Sequence, residues 1–244
     1  MSRPVTLVTG GGRGIGAAVC LRLAADGHDL AIGYRSDAQA AEQVAEQARA
    51  AGAKAVALQL DTAVEAEVER FFDQAAEQLG PATGLVNNAG VTSRQGPLAE
   101  LRTEDLRRVV DVNLVGYLLC ARRAAQDFDR GGAIVNVSSA AATLGSPGEY
   151  VHYAATKAAT DALTIGLAKE LGPAGIRVNT VSPGTIETEF HQLGGEPGRP
   201  DRVAPTVPLR RAGQPAEIAG AVAWLLSPDA SYTTGAILRV AGGM

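Results

Sequence analysis

Short runs of β-branched and other apolar residues alternate with longer alanine-rich helical patterns along the whole chain. No other feature constrains the fold as much. VTLVTG (5–10), DLAIGY (29–34), KAVALQL (54–60), TGLVNNAG (83–90), GAIVNVSS (132–139), GIRVNTVSPG (175–184) and GAILRVAGG (235–243) read as strands. Helical patterns fill the intervals, over 14–25, 38–51, 63–79, 103–128, 152–171 and 215–226. The strand runs are continuously apolar instead of alternating, as strands covered on both faces require. Strand–helix alternation of this kind predicts an α/β fold, a doubly wound parallel sheet. With no internal repeat, low-complexity tract or linker, the 244 residues are expected to form a single domain.

Composition narrows the function classes. Hydrophobic residues make up 46% and charged residues 20%, the balance of a folded core and not of disorder. A formal charge of −4 lacks the electrostatic footprint of a nucleic-acid binder. The opening MSRPVTLVTGGG runs straight into a strand pattern without a signal-peptide apolar core. No apolar segment approaches the roughly 20 residues needed to cross a bilayer. The expected setting is cytoplasmic, with no membrane or nucleic-acid partner. Cys20 and Cys120 each lie in an apolar helical run and are expected as buried free thiols. No metal is expected.

TGGGRGIG (9–16) sits between the first strand and the first helix. Gly10 permits a tight turn, Gly14 lets backbone approach a pyrophosphate, and Gly16 permits close helix packing. The helix N-terminus then presents free N–H groups and a positive dipole to phosphates. Gly10, Gly12, Arg13, Gly14, Ile15 and Gly16 make up this candidate cofactor turn. An acidic residue about 20 positions further on would bind a ribose 2′-hydroxyl and repel a 2′-phosphate. Here the second strand ends in Tyr34, Arg35 and Ser36. Arg13 can reach the same spot, and forked guanidinium donors suit phosphate oxygens. Asp37 is the competing acidic group, read more simply as the cap of the next helix. The expected cofactor is NADP(H) in preference to NAD(H).

The spacing of Gly10, Gly14 and Gly16 differs from the usual G-x-G-x-x-G pattern and resembles that of the short-chain dehydrogenase/reductase family. LDT (60–62) and NNAG (87–90) resemble the family's adenine- and ribose-side contacts, implying roles for Asp61, Thr62, Asn88, Ala89 and Gly90. SPGTIET (182–188) resembles the segment that closes over the nicotinamide, implying Pro183, Gly184, Ile186 and Thr188. These motifs occur in the family's strand order over nearly the whole chain. The fold the resemblance implies is the Rossmann fold.

GEYVHYAATKAA (148–159) places Tyr153 four residues before Lys157, whereas Tyr150 has Ala154 in the corresponding place. Four helical residues rise about 6 Å and return to nearly the same face, so Tyr153 and Lys157 point together. In an arbitrary helix such a pair is surface furniture. A free tyrosine has a pKa of about 10, and a nearby ammonium would lower it toward a useful range. Tyr153 could then give a proton to a carbonyl oxygen or take one from an alcohol. Ser139 ends the fifth strand, where the nicotinamide should arrive, and is the expected partner of the substrate oxygen; Ser138 reads as structural. Asn113 is polar inside an otherwise apolar helix. The resemblance implies that it helps hold a water linking the lysine to solvent. Asn113, Ser139, Tyr153 and Lys157 thus match the family's catalytic tetrad, with Tyr153 and Lys157 also among the cofactor contacts.

The expected activity is NADP(H)-dependent interconversion of a ketone and a secondary alcohol, with a small-molecule substrate. Length and the GIRVNTVSPGTIET segment resemble the 3-oxoacyl-carrier-protein reductase-like branch. Sugar and polyol dehydrogenases, glucose dehydrogenase-like, are the alternative, and a catalytically silent dinucleotide-binding sensor a more distant one. The segment 185–215, broken by glycines and prolines, reads as a flap over the site or as a merely decorative loop. Phe190 and His191 within it are expected to touch substrate, and Tyr150 to line its pocket. The apolar faces of VNLVGYLLCARRAA and the small residues around Gly166 agree with the homotetramer that the resemblance implies. Carrier-specific members tend to have basic residues just before the fifth and sixth strands. Here Arg130 is offset by Asp127 and Asp129, and Ala174 stands where an arginine is expected, although Arg177 is close. These departures argue against a dedicated acyl-carrier-protein partner.

Overall fold

A computed structural model of the chain describes residues 3–128 and 131–244. Seven parallel strands form a single sheet in the order β3-β2-β1-β4-β5-β6-β7. They are β1 (Val5–Val8), β2 (Asp29–Tyr34), β3 (Ala55–Gln59), β4 (Gly84–Asn87), β5 (Ala133–Val137), β6 (Arg177–Pro183) and β7 (Ile237–Val240). The helices are α1 (Gly14–Ala25), α2 (Ala38–Ala50), α3 (Glu65–Leu79), α4 (Thr103–Val110), α5 (Gly116–Asp127), α6 (Ala141–Leu144), α7 (Val151–Leu171), α8 (Phe190–Leu193), α9 (Arg199–Val203) and α10 (Pro215–Leu226). The doubly wound sheet is the one the strand–helix alternation predicts.

Successive strand residues face opposite sides, which sorts the core into two layers. Val8, Ile32, Val86, Val135 and Val181 pack with Val19, Leu23, Val44 and Ile218 of α1, α2 and α10. Their neighbours Leu7, Ala31, Leu85, Ile134 and Val178 pack with Phe71, Phe72, Cys120 and Ala168 of α3, α5 and α7. Both cysteines are buried free thiols, one in each layer. Continuous burial holds for the central strands only, because the edge strands β3 and β7 are partly exposed. No helix of the described residues is long and apolar enough to cross a membrane.

One predicted element differs. The helix expected over 103–128 is not continuous: α4 and α5 are joined by a π-helical turn over Asp111–Val115. A π turn widens the helix locally and removes one carbonyl from its usual i+4 partnership, and such turns concentrate at functional sites. Asn113 lies at its centre. Before Pro215 opens α10, the segment 185–215 contains only the short α8 and α9 and a 3₁₀ turn over Ala204–Thr206, as its glycines and prolines imply.

Candidate active site

The strand order reverses between β1 and β4, and there the loops leaving the two strands part to leave a crevice. A cleft of about 340 Å³ runs from this point along the carboxyl ends of the strands. Every candidate cofactor residue lines it, as do Ser139, Tyr153 and Lys157. Asn113 does not; it stands behind the wall, fully buried.

The glycine turn is shaped by close approach. Gly10 and Gly14 adopt left-handed backbone, φ 64° and 53°, which side-chain-bearing residues rarely reach. A Cβ on Gly16 would sit 2.6 Å from Asn88 Nδ2 and well inside contact with the Gly10 carbonyl oxygen. Gly16 thus packs the helix start onto the turn itself. Asn88 donates from Nδ2 to the carbonyls of Thr9 and Gly10, 3.0 Å each, tying β4 to the turn. Arg13 precedes α1 in extended backbone and makes no side-chain cap. The first-turn N–H groups therefore have no side-chain acceptor from that residue, the arrangement that receives phosphate. Thr188 lies against the turn, with its Cγ2 3.4 Å from where a Gly14 Cβ would be.

At the end of β2, Arg35 Nε lies 3.3 Å from Asp61 Oδ2, and Arg108 Nη1 is 3.2 Å from the same oxygen. Arg108 was not singled out by sequence; it is brought in by α4. Asp37 accepts from the Ala40 amide at 2.9 Å and so caps α2, as its position predicts. Arg13 is paired with Glu189 at 3.7 Å, both side chains being more than half exposed. Exchange of such an exposed pair for a phosphate costs little.

Around the tyrosine, Ser139 Oγ accepts from the Ala141 amide at 3.1 Å, which leaves its hydroxyl proton free to donate. Ser138 is turned away, donating to the Lys157 carbonyl at 3.0 Å. Lys157 Nζ donates to the Val137 carbonyl at 2.7 Å and to Tyr117 Oη at 3.1 Å. It lies 4.6 Å from the Tyr117 ring centre and 5.8 Å from that of Tyr153. Tyr117 is a buried participant that sequence reading missed. Its only signal was a place four residues after Asn113, on the same helix face. Asn113 donates to the Val91 carbonyl at 2.8 Å and accepts from the Val91 amide at 2.9 Å. Both ends of its side chain are therefore engaged in clamping the segment after β4.

The expected lowering of the Tyr153 pKa is not what this pocket produces by itself. Burial raises Tyr153 above the usual phenol range, against a smaller opposing effect of the Ser139 hydrogen bond. Burial also pulls Lys157 down to about 7, with Asp161 opposing. The phenol is thus neutral at pH 7 and the amine partly so. The folded chain releases the Lys157 proton near pH 7, whereas the unfolded chain holds it to 10.5. Between these values the unfolded state binds more protons, so stability rises with pH. Unfolding free energy from denaturant titration is expected to rise between about pH 7.5 and 9, less steeply in Lys157→Met. An equal slope in the variant would contradict the assignment.

In the 185–215 segment, the Phe190 ring packs on Tyr153 at 5.6 Å, while His191 Nε2 is hydrogen-bonded to the Ile186 carbonyl oxygen at 2.9 Å. Tyr150 meets Tyr153 edge to face at 5.4 Å. Arg199, also missed, donates to Tyr150 Oη at 3.1 Å. Away from the cleft, Arg177 donates to the carbonyls of Leu225 at 2.7 Å and Ser227 at 3.4 Å, and Asp127 is held by Arg123 at 2.8 Å. Arg177 is therefore committed to the end of α10. Asp129 and Arg130 lie outside the described residues.

A family model described as enoyl-(acyl carrier protein) reductase matches residues 10–244. YgfF of Escherichia coli, an uncharacterised oxidoreductase, is 48% identical, covering 98% of this chain and 99% of its own. The 3-oxoacyl-[acyl-carrier-protein] reductase FabG of Staphylococcus aureus is 38% identical over 98% of this chain and 96% of its own. Among solved structures, a short-chain dehydrogenase from Burkholderia cenocepacia in complex with NADP superposes with a TM-score of 0.93 at 36% identity, covering 100% of this chain and 98% of that one. A blue fluorescent protein from a metagenomic library, in complex with NADPH, gives 0.91 at 40% identity, covering 98% and 97%. Sequence identity and superposition extend over nearly the full length of these relatives, and the chain belongs to the short-chain dehydrogenase/reductase family of oxidoreductases.

Proposed function

We propose that the protein is an NADP(H)-dependent reductase of ketones, working reversibly on the corresponding secondary alcohols. The observation that carries this reading is the pairing of Ser139 and Tyr153 on the wall of one cleft, where both hydroxyl groups can meet a single substrate oxygen. That pairing favours a carbonyl over the carbon–carbon double bond named in the family model's description. When bound, NADPH supplies the hydride. Ser139 orients the carbonyl oxygen and Tyr153 gives it a proton. Lys157, held on Val137 and Tyr117, is placed behind the tyrosine to restore that proton. The glycine turn and the α1 N-terminus cradle the pyrophosphate, with Asp61, Thr62, Asn88, Ala89 and Gly90 along the adenosine half and Pro183, Gly184, Ile186 and Thr188 over the nicotinamide. Asn113 acts indirectly, by fixing Val91 and centring the π turn. NADPH oxidation monitored against a panel of ketones, including diketones, 3-oxoacyl esters and sugars, tests the activity. Turnover of none of them sinks it and favours the dinucleotide-binding sensor.

Arg35 and Arg13 support the preference for the 2′-phosphate. Hydrogen bonds to charged groups contribute about 1.5–3 kcal/mol, so Arg35→Asp is expected to lower the NADPH/NADH efficiency ratio ~10-fold or more. Comparable efficiencies with both cofactors in the parent would remove the basis for this reading.

Assembly as a homotetramer is supported by apolar side chains left on the helix faces. Val115, Leu118 and Ile165 are each more than a third exposed, and a Cβ on Gly166 would meet nothing within 4 Å. Light scattering at micromolar concentration should give a tetramer mass, and a monomer mass would contradict it. The commitment of Arg177 to α10 supports small esters or thioesters over an acyl carrier protein as substrate supports.

A further inference from the structure

Arg199 is unlike the other charged groups of the cleft. It is 9% exposed and lines the same cavity as Ser139 and Tyr153. Its Nε donates to Tyr150 Oη at 3.1 Å and its Nη2 to Glu149 Oε2 at 2.7 Å. Its guanidinium carbon lies 5.2 Å from the Tyr150 ring centre, and that ring lies 5.4 Å from Tyr153. One aromatic ring therefore separates Arg199 from the proton donor. The third nitrogen, Nη1, is buried and has no hydrogen-bond partner among the described residues. A buried N–H on a cation bears a desolvation penalty until an acceptor meets it.

The surrounding charges say what kind of acceptor fits. Glu149 is shared with Arg202, whose Nη2 is 3.0 Å from Oε1, so it neutralises Arg199 only in part. The acidic side chains lining the cleft are Asp37, Asp61 and Glu189. Asp37 caps α2, Asp61 faces Arg35 and Arg108, and Glu189 pairs with Arg13. All three belong to the cofactor half. In the half around Tyr153 the charged side chains that line the cleft, among the described residues, are the partly protonated Lys157 and the cation Arg199.

We propose that Arg199 binds a carboxylate on the substrate, so that the preferred substrates are oxo acids and their hydroxy-acid products. One carboxylate oxygen accepts from Nη1, the ketone oxygen lies between Ser139 and Tyr153, and the intervening carbons pass along Tyr150. In reduction the carbonyl carbon takes a hydride from NADPH and its oxygen the Tyr153 proton, giving hydroxy acid and NADP⁺ with the carboxylate unchanged. The proposal rests on the ketone-reductase reading, and its test separates the two.

Levulinate and methyl levulinate present the same ketone with and without the charge. The parent is expected to favour levulinate by ~10-fold or more in kcat/KM, the scale of a charge-assisted hydrogen bond. Arg199→Met should remove that preference, raising KM for the acid ~10-fold more than for the ester, and Arg199→Lys should restore part of it. Equal efficiency for acid and ester in the parent overturns the proposal and leaves the reductase reading intact. A second measurement needs no turnover: in the NADPH-saturated protein, valerate should raise the thermal midpoint where valeramide does not, and Arg199→Met should abolish the difference. Valerate binding without reduction of any ketone would uphold the carboxylate site and sink the reductase reading. Identical responses to valerate and valeramide in the parent would count against Arg199, even if the methionine variant fails to fold.

Discussion

Tyr153→Phe is expected to lower turnover by at least ~10²-fold while leaving the fold nearly unchanged, because it removes the transferable proton. The ring would keep its contacts with Tyr150 and Phe190. Tyr150→Phe is the matched control. It removes the hydroxyl that accepts from Arg199 and should act on apparent substrate affinity, with turnover close to that of the parent. Initial rates on one ketone that the parent reduces, with NADPH affinity measured separately by fluorescence titration, distinguish the two. Equal turnover in both variants would mean that Tyr153 is not the proton donor.

The other large effect is expected at the glycine turn. Gly16→Ala places a methyl group 2.6 Å from Asn88 Nδ2 and against the backbone carbonyl of Gly10, neither of which is the free end of a flexible chain. Relief requires the turn to move off β4, since Asn88 is what ties the two together. Overpacking of this kind costs about 1–3 kcal/mol, and the moved turn is the one proposed to hold the pyrophosphate. The expected result is a lower thermal midpoint and a dissociation constant for NADPH raised ~10-fold or more. Gly220→Ala is the control, because the nearest atom to its added Cβ is Arg22 Nη1 at 3.6 Å, an ordinary contact. It should be neutral or slightly stabilising. A parent-like midpoint and NADPH affinity in Gly16→Ala would show that the turn tolerates the methyl group.

What could be read from the chain alone was what depends on neighbours in sequence. Strand and helix order follow from local pattern, and with parallel strands that order leaves few topologies. The turn at Gly10, the cap at Asp37 and the shared face of Tyr153 and Lys157 are all decided within four or five residues. Residues on the carboxyl ends of parallel strands must then meet at one edge, so the members of the cleft could be named in advance.

Tertiary structure alone decided the energetics of those members and the partners supplied from far along the chain. Lys157 does not lower Tyr153 as its spacing suggests, because burial acts on both groups and its strength is set by packing from several elements. The continuous helical pattern over 103–128 hid a π turn, which forms where Asn113 is drawn onto Val91, 22 residues away. Arg199 was one arginine among several in an irregular segment, and nothing adjacent in sequence marked it. It became distinct only when Glu149 and Tyr150, about fifty residues earlier, took two of its nitrogens and burial isolated the third. Sequence determines which side chains reach the cleft, because periodicity is local. Their protonation, pairing and unmet valences depend on desolvation, which is a property of the packed whole.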